Sequence, residues 1–345
     1  MTTTPSPSDE PPGQIAEYEG FEYQGLNGSW THKTRPAFES GPLPSTAQFT
    51  EAQIEHLSRW MHDGLRSRME IKDDYLVALF LVPVLDAHAD TVWMRKISIL
   101  TTHHSVLTVD DTPEGRPPLD LDTVVTRFRS CPDRSPGRLV YVLIDEIARA
   151  FTELADGFEA EINEIEDALD DSHPHRASDG EWFRKRLQRF RSDLYDVRSA
   201  LIPTEHAVHF IIVGEDLTGA ELFPRDIEDK LRDTYDRLRY VSESLDVVRD
   251  EIGGLRDYLQ ARIGNEQNEI MKALTIVAAL VLIPTFVVGF YGQNFEYFPG
   301  LHGKRAFWAV CLVMLAIVMS EIWYLWHRGW IGRGLHRRDI KRSGR

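Results

Sequence analysis

At 345 residues the chain is long enough for one large or two modest domains. Its net charge of −15 is unevenly placed: from Lys272 onward ten Lys/Arg stand against three Asp/Glu, or +7, which leaves −22 on what precedes. An acidic body lacks the basic surface that neutralises phosphate, which argues against nucleic-acid binding. Cys131 and Cys311 lie too far apart in sequence to make a disulfide framework or a thiolate metal site, and a reducing cytoplasmic body is expected.

Met1 to Gly13 is rich in Thr, Pro and Ser with no apolar core. It does not read as a signal peptide, and residues 1–45 are expected to be a disordered or poorly ordered extension. Residues 46–222 read as a cytoplasmic α+β domain, a mostly antiparallel sheet with flanking helices. Thr50 caps a first helix. The runs Tyr75–Val82, Thr91–Leu100 and Ser105–Val109 are strand-like. Their connections are too short for crossover helices, so the sheet should be largely antiparallel. Between the first two runs, Asp86, His88 and Asp90 alternate as metal ligands would, yet a solvated turn uses the same residues. His103-His104 reads as a strand end.

A short helix is expected over Leu119–Arg129, then a long one from Leu139 to Asp171. There Tyr141, Ile144, Ile147, Phe151, Leu154 and Phe158 keep helical spacing, and acids fill the other face. Glu153, Asp156, Glu159, Glu161, Glu164, Glu166 and Asp167 could attract cations, but a solvated helix face is the simpler account of each. A return helix follows over Trp182–Ile202, so that the two make an antiparallel pair.

The last soluble element opens at Phe223-Pro224-Arg225-Asp226, with proline at the start and acids in the first turn. Read as one helix to Tyr291 it is about 100 Å long at 1.5 Å per residue, and such a length must pack on copies of itself, on the helical pair, or on both. Residues 223–272 are a stalk and 273–291 a first membrane span, free of charge from Ala273 to Tyr291. A second span covers 306–326. Each is long enough for a hydrocarbon core of about 30 Å, leaving 292–305 as a short outer loop. The tail, 327–345, carries Arg328, Arg333, Arg337, Arg338, Lys341, Arg342 and Arg345. The positive-inside rule puts it, and hence the N-terminal body, in the cytoplasm of a multi-pass cell-membrane protein.

On the first span Asn268, Met271, Thr275, Ala278, Leu282, Thr285 and Gly289 recur in steps of three or four and share one face. Hydroxyls and small residues on one face suit a pore axis, and they equally suit ordinary packing between membrane helices. Glu321, in the second span, reads as a side chain that snorkels to the interface beside Trp323, Tyr324 and Trp326.

Tyr291-Gly292-Gln293-Asn294-Phe295-Glu296-Tyr297 resembles the Tyr-Gly-Met-Asn-Phe-Glu-Tyr signature of CorA-type divalent cation transporters. The lead-in Asn268-Glu269-Ile270-Met271-Lys272-Ala273-Leu274-Thr275 and the helix from Arg232-Asp233-Thr234-Tyr235-Asp236 onward are similar to that family too. Gln293 replaces the usual Met, a position that also varies in ZntB-type zinc transporters. The resemblance implies a homopentameric funnel in which five stalks surround one pore. It implies transport of a divalent cation, magnesium first, with cobalt or zinc as further candidates and no cofactor besides the transported ion. Its partners would be copies of itself, the lipid bilayer and metal ions. It implies a pore-facing Asn268 and a hydrophobic constriction at Met271 and Leu274, of a kind that can gate by dewetting. Gly292, Gln293 and Asn294 would form the selectivity loop, where neutral oxygens hold a hydrated ion, with Glu296 as the local carboxylate of the outer mouth. Asp233 and Asp257 align with regulatory acidic positions on the stalk.

No phosphate loop, nucleophile elbow or zinc-hydrolase motif stands out, so an ATP-driven pump or an enzyme is not expected. A two-span signalling protein would need a folded outer domain, for which about fifteen residues leave no room. A proton-coupled zinc transporter is the alternative within the same fold.

Overall fold

The computed structural model describes residues 20–25, 28–41, 48–63, 65–72, 74–86, 91–113, 115–117, 119–171, 177–213, 222–293 and 304–330. The chain divides into two compact units, Met1–Arg256 and Asp257–Arg345.

In the first unit six strands form one sheet: β1 (Gly20–Gly25), β2 (Gly28–Thr34), β3 (Arg68–Ile71), β4 (Tyr75–Asp86), β5 (Thr91–Thr102) and β6 (Ser105–Asp111). Their order is β1-β2-β6-β5-β4-β3. All pairs are antiparallel except β2 with β6, which run parallel and place His32 opposite Thr108. Four of the five pairings are antiparallel, as expected of the sheet. One expectation is corrected: residues 20–40, expected to be part of a poorly ordered extension, supply two strands and the helix α1 (Arg35–Ser40). The physical reason is a partner far away in sequence. In β2 the alternate residues Trp30 and His32 turn inward and both meet Thr108: the Trp30 indole Nε1 donates to Thr108 Oγ1 at 3.0 Å, and His32 Nδ1 lies 2.8 Å from it.

The middle of the sheet is covered on both faces. Leu76 to Val82 of β4 is an unbroken buried run, as expected only where helices sit on both sides. Helices α2 (Glu51–Asp63), α4 (Pro136–Asp171) and α5 (Ala177–Val213) all pack against it. Thr50 and Gln53 start α2 with a reciprocal cap: Gln53 N donates to Thr50 Oγ1, and Thr50 N to Gln53 Oε1 at 2.9 Å. Asp120 caps α3 (Leu121–Arg129) by accepting from the Asp122 and Thr123 amides.

Three helices then run together: α4, α5 and the start of α6 (Arg225–Tyr291). In α6 the buried residues Ile227, Leu231, Thr234, Leu238, Val241, Leu245, Val248, Ile252 and Leu255 alternate steps of four and three. In α5 Phe183, Leu187, Phe190, Leu194, Val197 and Leu201 do the same. This 3.5-residue period is the seam of helices packed side by side. The Arg198–Asp246 ion pair ties α5 to α6. Arg186 bonds Glu161 at 3.1 Å between α5 and α4, so one of the acids on the α4 face is a helix–helix partner.

The second unit contains the remainder of α6 and α7 (Lys304–His327), both long and apolar enough to cross a membrane. Pro284 lies inside α6 without ending it. Gly329, at φ 69°, closes α7: its amide donates to Trp326 O, and Trp330 N donates back to Leu325 O.

Candidate ion pathway

In the second unit α6 has two unlike faces. Lys272, Ile276, Ala279, Leu280, Ile283, Pro284 and Val287 are half-buried. Lys272 Nζ stands 6.0 Å from the ring centroid of Trp330, just past the end of α7, so this stripe is the one turned toward the second helix. α7 answers with its own half-buried stripe, Val310, Cys311, Met314, Val318 and Glu321, followed by the buried Leu325.

The residues expected to line a pore all lie elsewhere on α6. Asn268, Met271, Leu274, Thr275, Ala278, Leu282, Thr285 and Gly289 are exposed, Met271 at 60% and Leu282 at 68%. At 3.6 residues per turn their face is centred about 140° round the helix from the half-buried stripe. Within one chain this face has no cover.

Its chemistry is specific. Thr275 Oγ1 donates to Met271 O at 2.8 Å, and Thr285 Oγ1 to Val281 O at 2.7 Å. Each hydroxyl proton is thereby directed back into the helix, and the oxygen lone pairs are left to face outward, where they can accept from the water of a hydrated cation. Near the end of α6 the Gly292 amide donates to Val288 O at 2.9 Å. A Cβ on Gly292 would approach that same oxygen to 3.1 Å, so a side chain here would crowd the last turn. Gln293 follows, exposed. Asn294 and Glu296, the other expected residues of the loop, lie outside the described residues, as do His88 and Asp90 of the alternating acidic stretch.

Asp233 and Asp257 are both exposed on α6. Among the described residues no group of three or more His, Cys, Asp or Glu is placed to hold a metal. Glu321 is not on the outer face of α7 but on the half-buried stripe, with Oε2 enclosed and no hydrogen-bond partner among the described residues. The sequence reading, a side chain reaching for the interface, does not anticipate this.

What sequence reasoning missed is the grip on α6 beside Asp233. Asp145 of α4 is 2% exposed and takes hydrogen bonds from Arg237 Nη1 at 2.7 Å, from Thr234 Oγ1 at 3.2 Å and from Arg127 of α3. Burial pushes its carboxyl up, but the Arg127 hydrogen bond and the Arg237 and Arg127 charges outweigh this and hold it below the usual carboxylate range. The only signal in the sequence was an acid on the otherwise apolar face of α4, between Ile144 and Ile147.

An α/β domain, a 67-residue helix that becomes the first of two helices long and apolar enough to cross a membrane, and an uncovered helix face carrying hydroxyl and carboxamide oxygens together have the outline of a two-span membrane protein. Residues 45–334 match the family described as CorA-like Mg2+ transporter protein, and the chain belongs to that family. It is 30% identical to Bacillus subtilis YfjQ, provisionally named a metal ion transporter, over 90% of this chain and 88% of that protein. It is 24% identical to the cobalt/magnesium transport protein CorA of Thermotoga maritima, over 77% of this chain and 73% of the other. The fold is similar to the complete structure of the CorA magnesium transporter from Methanocaldococcus jannaschii, with TM-score 0.68 and 19% identity, covering 90% of this chain and 94% of that one.

Proposed function

We propose that the chain conducts a hydrated divalent cation, magnesium before others, through a homopentamer in the cell membrane, with both termini in the cytoplasm. The observation that carries this reading is the uncovered face of α6. The residues that recur from Asn268 to Gly289 are turned away from the chain's own second apolar helix, and five copies around an axis would cover them. In that arrangement Met271 and Leu274 form an apolar constriction, Thr275 and Thr285 offer oxygen rings, and Gly292, Gln293 and Asn294 receive the ion at the mouth. Magnesium sheds its water reluctantly, so neutral oxygens that bind through its hydration shell suit it. Glu296 supplies local negative charge, Asp233 senses cytoplasmic divalent ion at a contact between copies, and Asp257 is a second regulatory acid on the stalk that faces the pore.

The membrane potential is a sufficient drive. At about 2.3 kcal/mol per charge per 100 mV, a divalent ion gains roughly 4.6 kcal/mol, enough for roughly thousandfold accumulation. Gln293, where the family signature has Met, favours a second reading: selectivity shifted toward cobalt or zinc.

Flux into liposomes holding the purified chain tests both. Magnesium entry driven by potential alone, and lost in Asn294→Ala, is the expected result. Zinc entry that needs a pH gradient would replace it with the second reading, and no flux of any ion would refute both.

A further inference from the structure

Asp233 lies on a turn of α6 that is held from three sides. Arg237 donates to Asp145 of α4, and Thr234 (1% exposed) shares its one hydroxyl proton between Lys230 O at 3.0 Å and Asp145 at 3.2 Å. Tyr235 stacks on His209 of α5, ring centroids 4.9 Å apart. Arg127 of α3 closes the group, bonding Asp145 through Nη2 and Glu146 through Nη1 at 2.5 Å. Arg149 reaches Asp145 as well, at 3.3 Å. Three arginines, Arg127, Arg149 and Arg237, and the shared Thr234 proton thus converge on one carboxylate, which has roughly four lone-pair sites. Two of those donors stand three residues apart on α6. A single acceptor that takes both fixes the rotation of that turn, as well as its distance from α4. The exposed Asp233, one residue from Thr234, is thereby pointed in one direction.

The setting can change as well as hold. Glu146 and Arg149 line a cavity of about 550 Å³ between α4 and the strands β4 and β5. Those two side chains border open space, whereas Asp145 and Thr234 are enclosed. A buried carboxylate that loses one of its charged donors must find another or shift, because an unpaired buried charge is costly.

We propose that Asp145 is the positioning residue that sets the rotation of α6 at Asp233, and thereby how tightly a divalent cation is held there. This rests on the reading of Asp233 as a cation-sensing position. The cation does not touch Asp145. It acts through Thr234 and Arg237 alone.

The test uses the full-length chain in detergent, with magnesium chloride as the probe. The quantity read is the binding midpoint, the magnesium concentration equal to Kd, fitted from a melting temperature that rises with the logarithm of one plus concentration over Kd. Asp145→Asn keeps the size and an acceptor but removes the charge. It is expected to raise that midpoint at least fivefold. Arg237→Met should raise it in the same direction, and Arg237→Lys, which keeps the cation, should stay within twofold of the unsubstituted chain. If Asp145→Asn lowers the melting temperature in chelator yet leaves the midpoint within twofold, its role is structural only and the proposal is overturned. If Asp145→Asn does not fold, an unmoved midpoint in Arg237→Met overturns it. Asp233→Ala separates the underlying reading: magnesium dependence that survives this substitution refutes Asp233 as the sensor and the proposal with it, whereas dependence lost in Asp233→Ala with an unmoved midpoint in Asp145→Asn refutes the positioning role alone. A chain with no magnesium dependence at all would sink both.

Discussion

The carbonyl oxygen of Leu222 stands 1.7 Å from where a Cβ on Gly137 would be. The start of α4 and the entry to α6 therefore meet backbone to backbone, and only glycine permits it. Arg138, next in sequence and 1% exposed by its side chain, spans the same junction by pairing Asp133 and Asp226. Gly137→Ala must push the two segments apart. Overpacking of this kind costs about 1–3 kcal/mol, and the upper end is expected because the obstacle is backbone. Thermal unfolding of the full chain in detergent measures it; a melting temperature equal to that of the unsubstituted chain would refute the close approach.

His32 gives the fold a dependence on pH. Burial lowers its pKa from 6.5 to about 4, against the opposing charge of Asp110. His32 Nδ1 lies 2.8 Å from the same Thr108 oxygen that accepts from Trp30. Between pH 6.5 and 4 the unfolded chain takes a proton that the folded chain refuses. Stability therefore rises with pH across that window and is level above it for this group. Moving from pH 7 to pH 4 should cost about 3 kcal/mol from His32. Melting temperatures at pH 7.5 and 5 are expected to differ less in His32→Gln than in the unsubstituted chain. Equal pH dependence in the two would remove His32 from the account.

The long elements were legible in the sequence because their signals are local. The Ile144-to-Phe158 spacing of α4, the proline and acids that open α6, and the charge-free run from Ala273 each declare themselves within a few turns. The face from Asn268 to Gly289 was legible for the same reason, as a period. The strands β1 and β2 were not, since β2 pairs with β6 some 76 residues further on, in the register that sets Ser29 against Ser105. The Asp145 cluster was not either: Arg127, Thr234 and Arg237 come from two other helices, and spacing within α4 says nothing of them.

Leu238 tests the seam of α6. It is fully buried at the middle of the alternating stripe, whereas Arg239, the next residue, is exposed and pairs with Glu243 one turn on. Leu238→Ala should destabilise the chain by about 3 kcal/mol, the lost transfer energy plus an unfilled cavity. Arg239→Ala should stay within about 0.5 kcal/mol. Denaturant titration of both variants compares them directly, and equal losses would mean that the stripe is not the packed side of the helix.

The two faces of α6 in the second unit make the most direct prediction about the pathway. Thr285 and Ala278 lie on the uncovered face, while Ile283 and Val287 lie on the stripe turned toward α7. A single cysteine at each position, in a chain whose Cys131 and Cys311 are first replaced by serine, reports which face meets water. If the uncovered face lines an aqueous path, a positively charged thiol reagent reaches Thr285→Cys and Ala278→Cys, because the path that admits a hydrated cation admits it too. The modified side chain then blocks the path and repels the ion, and liposome flux falls to near background. At Ile283→Cys and Val287→Cys the thiol is enclosed by apolar side chains or lipid, where little thiolate forms and no charged reagent enters. Flux there should be unchanged by the reagent. Modification of the second pair and not the first would place the water on the other side of the helix. Equal modification of all four would mean that α6 has no preferred aqueous face, and the proposed pathway would have to be abandoned.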